Sequence, residues 1–310
     1  MRMVALLVVV GCGSKDPKPM PAPEKHEVID VTSRDAAVAV DPRLARGEYI
    51  ANVSGCLVCH TGLAANGAPD FEHLGAGGLE MPDPMGTWKT PNITPDKSSG
   101  VGSWTDEQLI TVIREGTRPD GSQLYSIMPY ALYNRMTDDD VQALVAYLHT
   151  LKPVDHVVPQ NTKLKFPQLN VPKAANVPDP KDEVGHGEYL ASLMLCAHCH
   201  QTPPADAPEK LFTGGLEMEI PALGTGKLFA PNITSDKETG IGGWSPAQIF
   251  TTLKTMVKPD GKHIAPPMAM LQGAWSKMTE ADLKAVAAYV HQIPAQKHAN
   301  TPSTFAMKGP

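Results

Sequence analysis

Aromatic side chains are scarce in this chain: 310 residues carry four Trp, seven Tyr and six Phe. Large rings usually dominate the area of a core, so each core here needs help from something other than side chains. Long apolar runs are also missing. The longest, Met3 to Val10, has eight residues, against the roughly 18 that a membrane-crossing helix requires. There is no excess of positive charge, with Lys+Arg 27 against Asp+Glu 33 and a formal net charge of −6. That balance excludes the basic face normally used to grip nucleic acid. Five cysteines are too few for a dense disulfide framework. Charged residues at 19% and apolar ones at 42% exclude wholesale disorder. The expectation is a soluble chain with one short apolar start, long enough for about two domains.

The chain begins Met-Arg-Met, then Val4 to Val10, then Gly11-Cys12-Gly13-Ser14. A positive start and a seven-residue apolar stretch match a minimal export signal. Val9-Val10-Gly11-Cys12 resembles a bacterial lipobox, which implies that Cys12 becomes a lipid-bearing first residue. An ordinary signal peptide is the other reading. Residues 1–12 are therefore assigned to the signal, and the proline-rich stretch 13–41 reads as a tether.

One unit is written twice. Gly47-Glu48-Tyr49 leading to Cys56-Leu57-Val58-Cys59-His60 returns 140 residues later as Gly187-Glu188-Tyr189 leading to Cys196-Ala197-His198-Cys199-His200. At the same shift, Pro91 to Trp104 matches Pro231 to Trp244 at 9 of 14 positions. Two domains are expected, at 42–152 and 183–296, with a proline-rich linker at 153–182 and a tail at 297–310. Thr105 with Gln108, and Ser245 with Pro246 and Gln248, are capping boxes opening paired helices. Acidic residues after Thr137 and Thr279 suit the positive end of two further helices. That reading is preferred over an ion site for Asp138–Asp140. No alternating strand pattern stands out, so the units are expected to be all-α and loop-rich.

Cys-x-x-Cys-His is the pattern by which a c-type haem is attached. Residues i, i+3 and i+4 share a helix face, so two thiols bond one edge of the porphyrin and the imidazole is left under the iron. Composition alone predicts about 0.003 chance occurrences in such a chain, and here the pattern recurs at the repeat period. One zinc shared by Cys56, Cys59, Cys196 and Cys199 would leave two unused histidines. A redox dithiol would call for a βαβ pattern that the sequence lacks. Two covalent haems are the expected cofactors, with His60 and His200 as axial ligands.

A sixth ligand is offered by Met128 in the first unit and Met268 in the second, each seven residues past a Pro-Asp-Gly and beside proline. Thioether ligation raises the potential and suits electron transfer. Met270 remains an alternative to Met268. Met81 and Met218 recur as well and are read as packing residues. His149 and His291, on the last helix of each unit, are read as lying on or near the solvent face, and His198 as a solvated spacer. Gly47 and Gly187 are expected to let the first helix of each unit approach the last one closely, against Tyr147 and Tyr289.

Each unit resembles a class I cytochrome c domain, and the Pro-Asn-Ile-Thr-x-Asp-Lys…Gly-x-Gly-x-Trp loop is similar to that in cytochrome subunits of bacterial alcohol, gluconate and sorbitol dehydrogenases. The resemblance covers roughly 42–152 and 183–294. It implies that Asn92 with Trp104, and Asn232 with Trp244, hold haem propionates; packing is an equal reading for the tryptophans. Many such subunits carry three haem motifs, whereas this chain has two.

The functional expectation is a di-haem cytochrome c that carries single electrons between periplasmic redox partners and catalyses nothing itself. Its contact with the membrane would be through the lipid alone. The alternative is a di-haem redox enzyme, such as a peroxidase or thiosulfate-oxidising cytochrome, which needs an open iron position. Four propionates would take the charge from −6 to about −10 in the reduced state, favouring a partner with a basic docking face.

Overall fold

The computed structural model describes residues 41–65, 67–83, 86–159, 179, 181–202, 210–220 and 223–308. The signal segment, Cys12, the tether up to residue 40 and most of 153–182 lie outside the described residues. The described elements belong to one compact unit, 40–310, and two helix pairs organise it.

In the first half, α1 (Pro42–Val53) opens with Pro42 after Asp41, whose carboxylate accepts from the Arg43 amide at 2.9 Å. The one-turn α2 (Cys56–Cys59) follows. Helix α3 (Asp106–Glu115) begins with the expected capping box on Thr105 and Gln108, and stops at Gly116 in the left-handed region, φ +69°. After the short α4 (Tyr130–Tyr133), α5 (Asp138–Leu148) is capped by Thr137. Helices α1 and α5 pack against each other through a glycine. A Cβ on Gly47 would lie 2.0 Å from the Ala143 carbonyl oxygen and 2.7 Å from Tyr147 Cβ. Around that crossing Ile50, Ala51 and Val53 meet Val141, Leu144 and Val145 in the buried core.

The second half repeats this order. It has α6 (Glu183–Leu193), α7 (Cys196–Cys199), α8 (Pro246–Thr255, with its own capping box), α9 (Gln272–Trp275) and α10 (Glu280–Gln292). Gly187 lies against α10 as Gly47 does against α5, with its imaginary Cβ 2.0 Å from the Ala285 carbonyl oxygen. The buried side chains of both halves form one continuous apolar cluster. No helix among the described residues is long and apolar enough to cross a membrane.

The chain is mostly helical and loop-rich, but the expectation of an all-α fold needs correction. Among the described residues there are three short antiparallel ribbons: β1 (Glu80–Asp83) with β2 (Gly86–Lys89), β3 (Glu217–Met218) with β5 (Leu228–Phe229), and β4 (Gly224–Thr225) with β6 (Ala306–Met307). Two to four residues are too few for alternation to register in a sequence. Within the expected tail, residues 304–307 are anchored to the second half: β6 pairs with β4, and the Thr304 amide donates to the Lys227 carbonyl at 2.9 Å. Residues 154–156, expected to belong to the linker, are hydrogen-bonded into the first half instead.

Candidate haem-binding sites

Each Cys-x-x-Cys segment is a single helical turn entered from a left-handed residue, Gly55 (φ +66°) before α2 and Leu195 (φ +63°) before α7. The turn puts the two thiols of each motif at i and i+3, on one face. The next residue, His60 or His200, has its amide bonded back to the Cys56 or Cys196 carbonyl at 2.9 Å. Burial pushes the Cys56 and Cys196 thiols up to about 12 and Cys199 to about 11, and raises Cys59 as well. None of the four is in a disulfide.

The histidines show what the repeated loop is for. His60 Nδ1 lies 2.9 Å from the Pro91 carbonyl oxygen, and His200 Nδ1 lies 2.8 Å from that of Pro231. A carbonyl only accepts, so Nδ1 carries the proton and Nε2 keeps its lone pair, as a metal ligand requires. Both rings are 8% exposed. Burial lowers their pKa values, against the opposing effect of the carbonyl bond, and keeps the imidazoles neutral. The role of Pro91 and Pro231 escapes sequence reasoning, because a backbone carbonyl leaves no residue-type signature.

Both motifs open on one cavity of about 2870 Å³, roughly three times the upper end of ordinary ligand pockets. Apolar side chains such as Leu57, Ile93, Ile233 and Leu253 make up much of its wall. Met128, Met268 and Met270 all line it, half-buried. Met128 sits in the loop before α4, whereas Met268 opens a 3₁₀ turn, Met268–Leu271, that carries Met270 too. Met81 and Met218 line the wall from β1 and β3. His149 is off the cavity, its Nε2 bonded to Asp106 at 2.9 Å, and His291 is half-buried on α10. His198 is not the solvated spacer expected: it lines the cavity, and burial lowers its pKa.

The propionate pairs divide. The Asn92 amide nitrogen donates to the Val154 carbonyl at 2.8 Å and to Ser99 Oγ at 3.3 Å, while its oxygen accepts from the Thr94 amide at 2.9 Å. Asn232 repeats this with Gln296, Thr239 and Thr234. With donors and acceptor engaged, these amides staple the loop to the segment after the last helix rather than reaching for a carboxylate. The correction applies to both asparagines. Trp104 and Trp244 line the cavity and are half-buried; their indole N–H groups have no hydrogen-bond partner among the described residues. Two cations missed in the sequence also line it: Arg118 and Lys258, each just before a repeated Pro-Asp-Gly. The 140-residue recurrence of a basic residue there was the available signal.

Paired thiols on the cavity wall, a neutral imidazole with its free nitrogen retained, thioethers on the same cavity and an apolar lining fit a large flat iron porphyrin bonded at two points. This donor chemistry defines a c-type haem protein. The chain belongs to the cytochrome c family. The Cytochrome c family profile matches residues 44–152. The "Diheme cytochrome c-type" protein of Cereibacter sphaeroides is 31% identical over 81% of this chain and 86% of its own length. The fructose dehydrogenase cytochrome subunit of Gluconobacter japonicus is 34% identical over 89% of this chain and 60% of its own length. The cytochrome c subunit of the quinone alcohol dehydrogenase of Gluconobacter oxydans is 34% identical over 81% and 54% respectively. The chain thus spans little more than half the length of these dehydrogenase subunits. Family membership implies covalent haem c and electron transfer.

Proposed function

We propose that this chain is a two-haem electron carrier on the periplasmic side of a bacterial membrane, built from two cytochrome c domains by internal duplication and tethered through a lipid on Cys12. One observation carries the haem count: both Cys-x-x-Cys-His turns line the same apolar cavity, and each histidine has its Nδ1 held by a proline carbonyl. Each iron, when bound, supplies the one-electron couple.

The chain's own residues do the rest. Cys56 with Cys59, and Cys196 with Cys199, hold the porphyrins. His60 and His200 would each supply one ligand to an iron, and Met128 and Met268 another. The apolar wall excludes water. Trp104 and Arg118 in the first site, and Trp244 and Lys258 in the second, offer donors and charge for propionates. The names of the dehydrogenase relatives support a dehydrogenase as electron donor. Net negative charge favours a basic docking face on at least one partner.

The test is haem content and oxidised-state spectrum of the purified chain. Two haems per chain, both low-spin with methionine ligation, are expected. One high-spin, peroxide-reactive haem would move the chain to the enzyme class. Labelling with a radioactive fatty acid, lost in Cys12→Ser, tests the anchor.

A further inference from the structure

The two halves are joined by a reciprocal pair of hydrogen bonds that the repeat makes almost symmetric. Tyr189, on α6 in the second half, donates to Asp140 Oδ2 on α5 in the first at 2.5 Å, and accepts from the Thr137 amide at 3.3 Å. Its repeat partner Tyr49, on α1, donates across to Asp282 on α10. Each aspartate is also held from within its own half. Arg46 reaches Asp140 with two bonds of 2.6 and 2.8 Å, and His186, at the corresponding position, reaches Asp282 at 2.6 Å. Arg46 further lies over the Tyr49 ring, 5.3 Å from its centroid. Arg135 to Glu188 at 2.8 Å adds a third crossing at the edge.

Tyr49 and Tyr189 stand four residues before the ends of α1 and α6, the ends that lead into the Cys-x-x-Cys turns. Where α1 runs into α2, the Val53 carbonyl accepts from the Trp275 indole of the second half at 3.4 Å, and the Ser54 carbonyl from Tyr133 of the first at 2.6 Å. The buried Tyr133 side chain lines the same cavity as Cys56, Cys59 and Cys199, which come from both motifs. Fixing α1 and α6 on the opposite half therefore fixes the two haem-attaching turns relative to each other.

Resting on the two-haem reading, we propose that Tyr49–Asp282 and Tyr189–Asp140 are positioning pairs. They hold the two attachment turns in one relation and thereby set the rate of electron exchange inside the molecule. The exchange moves one electron from a ferrous to a ferric centre, so one iron is oxidised as the other is reduced and no proton is consumed. An electron delivered at either half can then leave from the other without the carrier redocking.

The experiment uses full-length holoprotein with Tyr49→Phe, Tyr189→Phe and the double variant, which keep the rings and remove only the hydroxyls. Tyr289→Phe serves as a control, because that ring packs on Phe212 within one half. Internal electron exchange is followed after photoreduction of one haem, with haem content and low-spin spectra measured on the same samples. Denaturant unfolding is followed by circular dichroism. The double variant is expected to keep both low-spin haems, to slow the exchange at least tenfold, and to unfold in two steps rather than one. Each single variant falls between. Should the double variant lose haem, the single variants carry the comparison, with at least a threefold slowing expected. Exchange within twofold of the parent, both haems intact, overturns the positioning role while leaving the two-haem carrier standing. A single haem per chain overturns both.

Discussion

At the residue scale the sites depend on what each side chain has left over after its protein bonds are made. His60 and His200 spend Nδ1 on a proline carbonyl and keep Nε2; Asn92 and Asn232 spend everything. Asn92→Ala is therefore expected to act on stability. It leaves the buried Thr94 amide without its acceptor and the Val154 carbonyl without its best donor. A loss of about 1–3 kcal/mol in denaturant unfolding follows, with haem content unchanged. A propionate role would instead show as a shifted reduction potential at constant stability. Met128→Ala should abolish the methionine-ligated signature of the first haem. Comparing Met268→Ala with Met270→Ala assigns the second, because both side chains line the cavity and one of them would supply the thioether ligand.

At the element scale, the helix crossings and the charged helix starts govern stability. Gly47→Ala puts a methyl group 2.0 Å from the Ala143 carbonyl oxygen, so α1 must move off α5. Overpacking of this kind costs about 1–3 kcal/mol. A fall of several degrees in the melting temperature is expected, and the same for Gly187→Ala against α10. The acidic helix starts do more than complement a dipole: Asp138 pairs with Arg114, Asp140 with Arg46 and Tyr189, and Asp282 with His186 and Tyr49. Burial pushes Asp282 up, but the bonds from Tyr49, His186 and Thr279 outweigh it and leave the carboxyl below its ordinary value. Folding thus favours the carboxylate, and the unfolded chain takes up the proton first as pH falls. The stability from Asp282 is present above about pH 4 and is lost as pH drops through the lower folded value. Acid unfolding of Asp282→Asn compared with the parent should show that portion of the pH dependence gone.

At the scale of the whole molecule, the C-terminal segment closes part of the second half. Phe305 and Met307 line the cavity, and β6 holds them there through β4. Deleting 300–310 is expected to leave haem attachment intact and to speed the binding of a small exogenous ligand, such as carbon monoxide, to the second haem more than to the first. Stopped-flow absorbance reads both.

Local pattern decided a great deal here. The attachment motifs, the capped helix starts at Thr105 and Ser245 and the glycine crossings at Gly47 and Gly187 were all legible from the sequence, because each follows from spacing or residue type within a few positions. Repeat spacing marked Met128 and Met268 as candidate ligands, while family resemblance pointed Asn92 and Asn232 at propionates, since an amide in a repeated loop looks the same whether it binds a carboxylate or a neighbouring carbonyl. The short ribbons were too brief to leave an alternation. His198, read as solvated, is half-buried on a cavity wall that residues far from it in sequence complete. The joining of the halves through Tyr49, Tyr189, Asp140 and Asp282 was hidden for the same reason. Residues 49 and 282 are brought together only when both helix pairs have packed, and no periodicity in one helix records which partner its tyrosine will meet. The sequence by itself determined the chemistry that each half can hold. How the two halves stand to each other follows only from packing, because it depends on contacts between residues 49 to 233 positions apart.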